Sequence, residues 1–183
     1  MKLRCFIAIN LPENIKEELA QILSDLKKKN SGWQIKYVKP EGIHLTLHFL
    51  GYLDETQIQV VKDILKEITQ SYFNFNLNIN QFGGFPNLNS PRVLFVAGRG
   101  EIELAKKLQQ ELGENLARAG FEVEKRPWQV HFTLARIKGP GRLNLENIKV
   151  PELDFKVEGV ELMKSQLTPS GAKYKVIESF KLK

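Results

Sequence analysis

The sequence predicts an α+β fold with largely antiparallel sheets, and two observations carry that prediction. Strand-like runs outnumber helical ones, and many follow one another with no helix between them, a pattern that a doubly wound parallel sheet does not allow. At 183 residues the chain suits one sizeable core or two small lobes, and is too short for several independent domains.

Residues 3–9 read as a buried strand. Pro12 suits the first turn of a helix, where its missing N–H is no loss. Ile15, Leu19, Ile22, Leu23 and Leu26 then follow at helical spacing, and Ser31-Gly32 marks a stop. Asp54 is the expected N-cap of a second helix, with Ile58, Val61, Leu65 and Ile68 on one face. A third helix is expected from about Glu101 to Ala119, carrying Leu104, Leu108, Leu112 and Leu116 and ending at Gly120. Lys and Glu on the outer helix faces read as solvated surface. Strands are expected over 33–38, 43–50, 72–82, 92–98, 129–136, 153–163 and 173–182. Phe73, Phe75, Leu77 and Ile79 alternate with Asn74, Asn76, Asn78 and Asn80, the pattern of a half-buried strand with a polar outer face. Gly83-Gly84 with Pro86 through Pro91 reads as one turn-rich loop, and Gly139-Pro140-Gly141 as another. Residues 1–50 give strand, helix, strand and a His-x-Thr-Leu strand, and residues 92–136 give that order again. With no long linker between the halves, residues 1–183 are expected to form a single bilobal domain of two pseudo-repeated lobes.

The hydrophobic fraction of 42% and charged fraction of 26% are ordinary for a globular chain. A net charge of +6 favours polyanionic partners such as a nucleotide or RNA. The single cysteine, Cys5, rules out an intrachain disulfide, fits a reducing compartment, and reads as a small buried strand residue. The apolar run around Cys5 is too short for a signal segment and is interrupted by Asn10, Pro12 and Glu13. No window approaches the length of a membrane span. A soluble cytoplasmic protein is expected, with no membrane partner and a monomer as the default.

Two segments carry the chemistry. In Ile43-His44-Leu45-Thr46-Leu47-His48-Phe49, strand alternation puts His44, Thr46 and His48 on one face and Ile43, Leu45, Leu47 and Phe49 on the other. Trp128 through Leu134 repeats the pattern, with Gln129, His131 and Thr133 together. Given three histidines and five threonines, two of the three His having Thr two places on has a chance on the order of 0.002.

Several chemistries use paired histidines. His44 and His48 lie about 13 Å apart on an ideal strand and cannot share a zinc ion, and no Cys pair or carboxylate cluster completes a metal site. No metal or other cofactor is expected. A phosphohistidine route needs only one imidazole and leaves the symmetry unexplained. Paired acid–base catalysis explains it directly: phosphodiester cleavage needs one group to take a proton and another to give one, and imidazole does both near neutral pH. Thr46 and Thr133 would then donate hydrogen bonds to the phosphate oxygens. Arg136 would add a cationic clamp, but strict alternation faces it away from His131 and Thr133, so it reaches the site only through a bulge or strand end. His48 reads as surface or as support behind the site.

These residues resemble the 2H phosphoesterase superfamily. The matching segments are His44-Leu45-Thr46-Leu47 and His131-Phe132-Thr133-Leu134-Ala135-Arg136. More closely, the chain is similar to the RNA 2′,3′-cyclic phosphodiesterases of bacteria and archaea, also called 2′-5′ RNA ligases. Arg4 through Ile9, Leu47 through Gly51, Pro91 through Phe95, Ser165-Gln166-Leu167, Gly171 and Tyr174 extend the match over nearly the whole chain. Many members carry Pro where this chain has Val130.

The resemblance implies a bilobal α+β body whose central cleft receives one motif from each lobe, with helices outside. It implies metal-independent opening of RNA 2′,3′-cyclic phosphate ends to 2′-phosphate. His44 would be the proton donor, His131 the proton acceptor, and Thr46, Thr133 and Arg136 would hold the phosphate. The partners it implies are RNA with cyclic phosphate ends, tRNA fragments or small cyclic nucleotides. Two alternatives stay open: 2′-5′ end-joining as the main role, and a non-catalytic RNA-binding module stacking bases on Trp33, Tyr37 and Trp128, though core packing is the expected role of each ring.

Overall fold

The computed structural model describes residues 2–32, 34–139, 142–168 and 171–183. Trp33 and the Pro140-Gly141 turn therefore lie outside the described residues. Two antiparallel sheets organise the chain. Sheet A has the order β3-β1-β8-β9, from β1 (Leu3–Asn10), β3 (His44–Leu53), β8 (Gly159–Thr168) and β9 (Gly171–Lys181). Sheet B has the order β2-β6-β5-β4-β7, from β2 (Ile35–Tyr37), β4 (Phe75–Phe85), β5 (Val93–Gly100), β6 (His131–Ile137) and β7 (Leu153–Val157). Three α-helices are seen among the described residues: α1 (Glu13–Lys29), α2 (Glu55–Thr69) and α3 (Ile102–Arg118). None of them is long and apolar enough to cross a membrane.

The helices form for the reasons the sequence offers. In α1, Ile15, Leu19, Ile22, Leu23 and Leu26 are all buried. Asp54 caps α2 reciprocally: its carboxylate accepts from the Gln57 amide at 2.9 Å, while the Gln57 side chain accepts from the Asp54 amide at 3.1 Å. At the end of α1 the buried Asn30 amide donates to the Leu26 and Asn144 carbonyls at 2.9 and 3.0 Å and accepts from the Asn144 amide at 2.8 Å, pinning a distant loop. Helix α2 packs on β3, β8 and β9, and α3 on α2 and β3. One continuous apolar cluster joins these elements, and a small second cluster of Phe6, Ala8 and Met163 covers the other face of sheet A. Cys5 is buried on the core side, and burial pushes its thiol pKa up, as a structural residue requires.

Several expectations need correction. The run over 153–163 is two strands: β7 pairs with β4 in sheet B and β8 pairs with β1 in sheet A. The chain changes sheets at Glu158-Gly159, where a Cβ on Gly159 would lie 2.8 Å from the Phe180 carbonyl oxygen, so only glycine fits the crossing. Phe73 is 72% exposed because β4 starts two residues later, and Tyr72 takes the buried place, its hydroxyl donating to Glu111 at 2.6 Å. In α3 the first fully buried residue is Ala105, and Leu104 is exposed beside it. Gly83-Gly84 is strand and not loop; β4 continues through Phe85 in register with β5. The stretch after α3 holds no counterpart of β2: residues 121–130, with Glu124, Lys125, Arg126 and Pro127 in succession, stay irregular until His131.

Candidate active site

Strands β3 and β6 pack against each other without sharing a hydrogen-bonded ladder, and each brings one His-x-Thr-Leu segment to the junction of the sheets. The Trp128 indole N–H donates across that junction to the Thr46 carbonyl at 2.9 Å. Trp128 is thus a bridge between the two motifs. Tyr37 is half-buried, and its hydroxyl donates to the Leu26 carbonyl at 3.2 Å. Both side chains are engaged inside the fold, not offered for stacking.

The two motif strands share one irregularity. In β3, Thr46 lies opposite Ala8 and His48 opposite Ile7, so Leu47 is an extra residue. In β6, Thr133 lies opposite Phe95 and Ala135 opposite Leu94, so Leu134 is extra. Beyond each bulge the alternation inverts. Leu47 and His48 are both buried, as are Leu134 and Ala135. Phe49, expected to back the motif, is 57% exposed on the face of His44. His48, expected on that face, is turned through the sheet to only 3% exposure. Its Nε2 meets the Gln109 carbonyl at 2.7 Å, and its ring leaves no room for a Cβ on Gly113, which would lie 2.9 Å from Cε1. A recess of about 250 Å³ on that outer side, lined by His48, Gln109 and Gly113, is separate from the His44–His131 face. Arg136, which alternation faces away, is exposed on the side of His131 and Thr133.

His44 and His131 have matching surroundings. The His44 Nδ1 lies 2.8 Å from the Gly42 carbonyl and the His131 Nδ1 lies 2.9 Å from the Gln129 carbonyl, two residues back in each case. A carbonyl only accepts, so each Nδ1 carries the hydrogen and the lone pair of the neutral ring is on Nε2. Two aromatic rings hold each imidazole. Around His44 they are Phe6 at 4.9 Å and Tyr174 edge-on at 5.1 Å; around His131 they are Phe85 and Phe95, edge-on at 5.2 and 5.4 Å. The Phe95 ring lies over Gly83, where a Cβ would stand 2.2 Å from it. These four rings are site residues that the motif reading did not find. They come from β1, β9, β4 and β5, remote in sequence from both histidines.

The His44 pKa is lowered to about 4, chiefly by burial; the bond to the Gly42 carbonyl opposes the shift, and the His131 imidazole adds a smaller lowering. His131 is lowered by burial, against the pull of the Gln129 carbonyl, and the Arg136 guanidinium adds to the lowering. The Arg136 charge thus acts on His131, in keeping with its exposure on that side of β6. Thr46 and Thr133 are half-buried beside their histidines, and among the described residues neither hydroxyl has a hydrogen-bond partner. No group of three or more His, Cys, Asp or Glu at metal-binding distances occurs among the described residues.

The arrangement offers two imidazoles, two free hydroxyls and one guanidinium. Residues 9–95 and 99–174 match the model of the LigT like Phosphoesterase family. Over its full length the chain is 32% identical to a Methanothermobacter thermautotrophicus protein named RNA 2′,3′-cyclic phosphodiesterase, and covers all of that protein. It is 33% identical to a Thermotoga maritima protein of the same name, over 96% of this chain and 93% of that one. Among solved structures, the Thermus thermophilus protein TT0787 superposes with a TM-score of 0.80 at 29% identity, with 98% of each chain covered. Fold, paired motifs and full-length similarity agree: the chain belongs to the LigT-like phosphoesterase family.

Proposed function

We propose that this protein hydrolyses the 2′,3′-cyclic phosphate at RNA ends to a 2′-phosphate by paired-histidine acid–base catalysis, without a metal ion. The observation that carries this reading is the matched pair of imidazoles, each tied back through Nδ1 and leaving Nε2 for proton transfer. The names of the Methanothermobacter and Thermotoga relatives supply the substrate class.

In the proposed reaction His131 Nε2 takes a proton from water as the water oxygen bonds to phosphorus. The bond from phosphorus to the ribose O3′ breaks, and His44 gives its proton to that oxygen. A 2′-phosphate and a 3′-hydroxyl result, and the two imidazoles have exchanged protonation states. Thr46 and Thr133 donate to the non-bridging oxygens, and Arg136 balances their charge. Burial keeps both imidazoles close to neutral in the free site; the anionic phosphodiester favours the protonated form, so the catalytic proton is stabilised as substrate binds. Unpaired RNA ends, tRNA fragments and small cyclic nucleotides all present this group. The protein would act as a monomer in the cytoplasm.

Hydrolysis of a 2′,3′-cyclic-phosphate oligonucleotide in EDTA tests this reading. His44→Ala and His131→Ala are each expected to lower kcat by roughly 10²- to 10⁴-fold, with the product phosphate on O2′. Wild-type rates in both variants, or loss of activity on chelation, would sink it. Assembly of 2′-5′ joined product faster than hydrolysis would instead assign end-joining as the main role.

A further inference from the structure

We infer that an exposed row on sheet A, Phe49 and Tyr52 with Leu167 near its end, is a stacking platform for unpaired bases of the RNA strand whose cyclic phosphate lies between His44 and His131. This rests on the function proposed above.

The row begins at the site. Phe6 touches the His44 ring on one side and the Phe49 ring, at 6.0 Å, on the other. Phe49 lies opposite Phe6 and Tyr52 opposite Arg4, and residues 4 and 6 of β1 share a face, so the two rings follow one another along the face of His44. Ser165 accepts from Arg4 at 2.7 Å, which puts Leu167, two residues on, on that face as well. Phe49, Tyr52 and Leu167 are 57%, 63% and 68% exposed. Single exposed apolar residues are ordinary, but three on one face, the first of them beside the ring that packs on His44, mark a binding feature. Among the described residues sheet B has no such row: Phe85 and Phe95, which flank His131, are at least half-buried.

The direction of the reaction assigns the occupant. His44 protonates the ribose oxygen that leaves, so the terminal nucleoside lies toward sheet A and the attacking water toward sheet B. The rest of the RNA strand is attached to that nucleoside and must leave across sheet A. Bases have π faces that stack on aromatic side chains with little sequence preference, and two or three bases on a four-stranded sheet is an established way to hold single-stranded RNA. Arg4 has no carboxylate partner among the described residues, so its charge is available to a backbone phosphate beside Tyr52.

The test compares a nucleoside 2′,3′-cyclic monophosphate with a short unpaired oligonucleotide ending in the same nucleoside cyclic phosphate. The wild-type protein is expected to show a lower KM for the oligonucleotide. Phe49→Ala and Tyr52→Ala should each erase roughly 5- to 150-fold of that advantage, and Tyr52→Phe should keep it. Tyr52→Ala removes an exposed ring, so it decides the matter even if Phe49→Ala, which strips a neighbour from Phe6, fails to fold. An unchanged ratio of the two KM values in a folded variant overturns the platform while leaving the active site standing. An unchanged ratio with loss of self-association in the same variants assigns the face to a second copy of the chain, and overturns it too. Failure of the wild-type protein to hydrolyse either substrate overturns the functional reading and the platform with it.

Discussion

Strands β3 and β6 carry the same His-x-Thr-Leu segment and the same bulge one residue after the threonine, yet what each delivers beyond the bulge differs in kind. In β3 the residue returned to the site face is Phe49; in β6 it is Arg136. The residue turned inward also differs, a buried His48 bonded to α3 against a buried Ala135. The shared geometry provides two equivalently tethered imidazoles. The unshared residues differ in charge, a guanidinium acting on His131 against an apolar ring packed on Phe6 on the His44 side. A symmetric scaffold thus fits the asymmetric reaction proposed above, in which the leaving nucleoside would lie on one side and the water and phosphate charge on the other.

Breaking the charged half of this comparison should have the largest effect. Arg136→Ala is expected to lower kcat/KM for a cyclic mononucleotide by roughly 10- to 150-fold, the worth of charge-assisted bonds to phosphate. Phe49→Ala should cost far less on that substrate. Equal losses would erase the distinction between the two strands, and steady-state kinetics on both variants decides it. Next comes the support behind His131. Gly83→Ala drives a methyl into the Phe95 ring and is expected to cost about 1–3 kcal/mol of stability, measurable by denaturant unfolding. It should also lower kcat, because the displaced ring is one of the two that hold the imidazole.

The pH dependence is sharper still as a diagnostic, though smaller in size. The pKa of each motif imidazole is lowered from 6.5, so under the proposed mechanism the bell-shaped profile of kcat/KM is expected to peak below pH 6.5. Arg136→Ala should move the limb belonging to His131 upward, since the guanidinium contributes to its lowering. Stability follows the same sign. A histidine lowered in the folded state binds its proton more readily when unfolded, so its stabilising contribution is full above pH 6.5 and is lost as pH falls toward about 4. His48 is lowered as well and adds to the effect. A calorimetric Tm that declines across this interval, with a shallower decline in His48→Gln, is the expected result. Smallest is Trp128→Phe. It removes one hydrogen bond between the sheets, worth about 1 kcal/mol, and should lower Tm modestly while leaving the two-substrate KM ratio intact.

The histidines and threonines were legible in the sequence because strand alternation holds from residue 43 to 46 and from 130 to 133. It fails one residue later in both strands. A bulge is a property of the pairing between β3 and β1, or between β6 and β5, and leaves no mark in the periodicity of one strand. The misplaced faces of His48 and Phe49 therefore share one cause with the return of Arg136 to the face of His131, for which a bulge was the stated condition. The helices were legible because a helix satisfies its own backbone and shows its buried face locally, as Ile15 through Leu26 do. The sheet change at Gly159 and the displaced start of β4 at Phe75 were hidden because each depends on a partner far along the chain. The contacts of Phe6, Phe85, Phe95 and Tyr174 with the two imidazoles were hidden for the same reason: aromatic residues in apolar runs look alike whether they meet the core or a motif histidine.

The chain passes between the sheets repeatedly: β1 belongs to A, β2 to B, β3 to A, β4 through β7 to B, and β8 and β9 to A. A jaw that opens about a single pivot needs its two plates joined at one place, and these plates are stitched together at every change of sheet. Widening the gap between His44 and His131 would pull on all those stitches together. Sliding of one sheet across the other, in small shear steps, is the motion this weave leaves open for the entry and exit of the RNA end proposed as substrate.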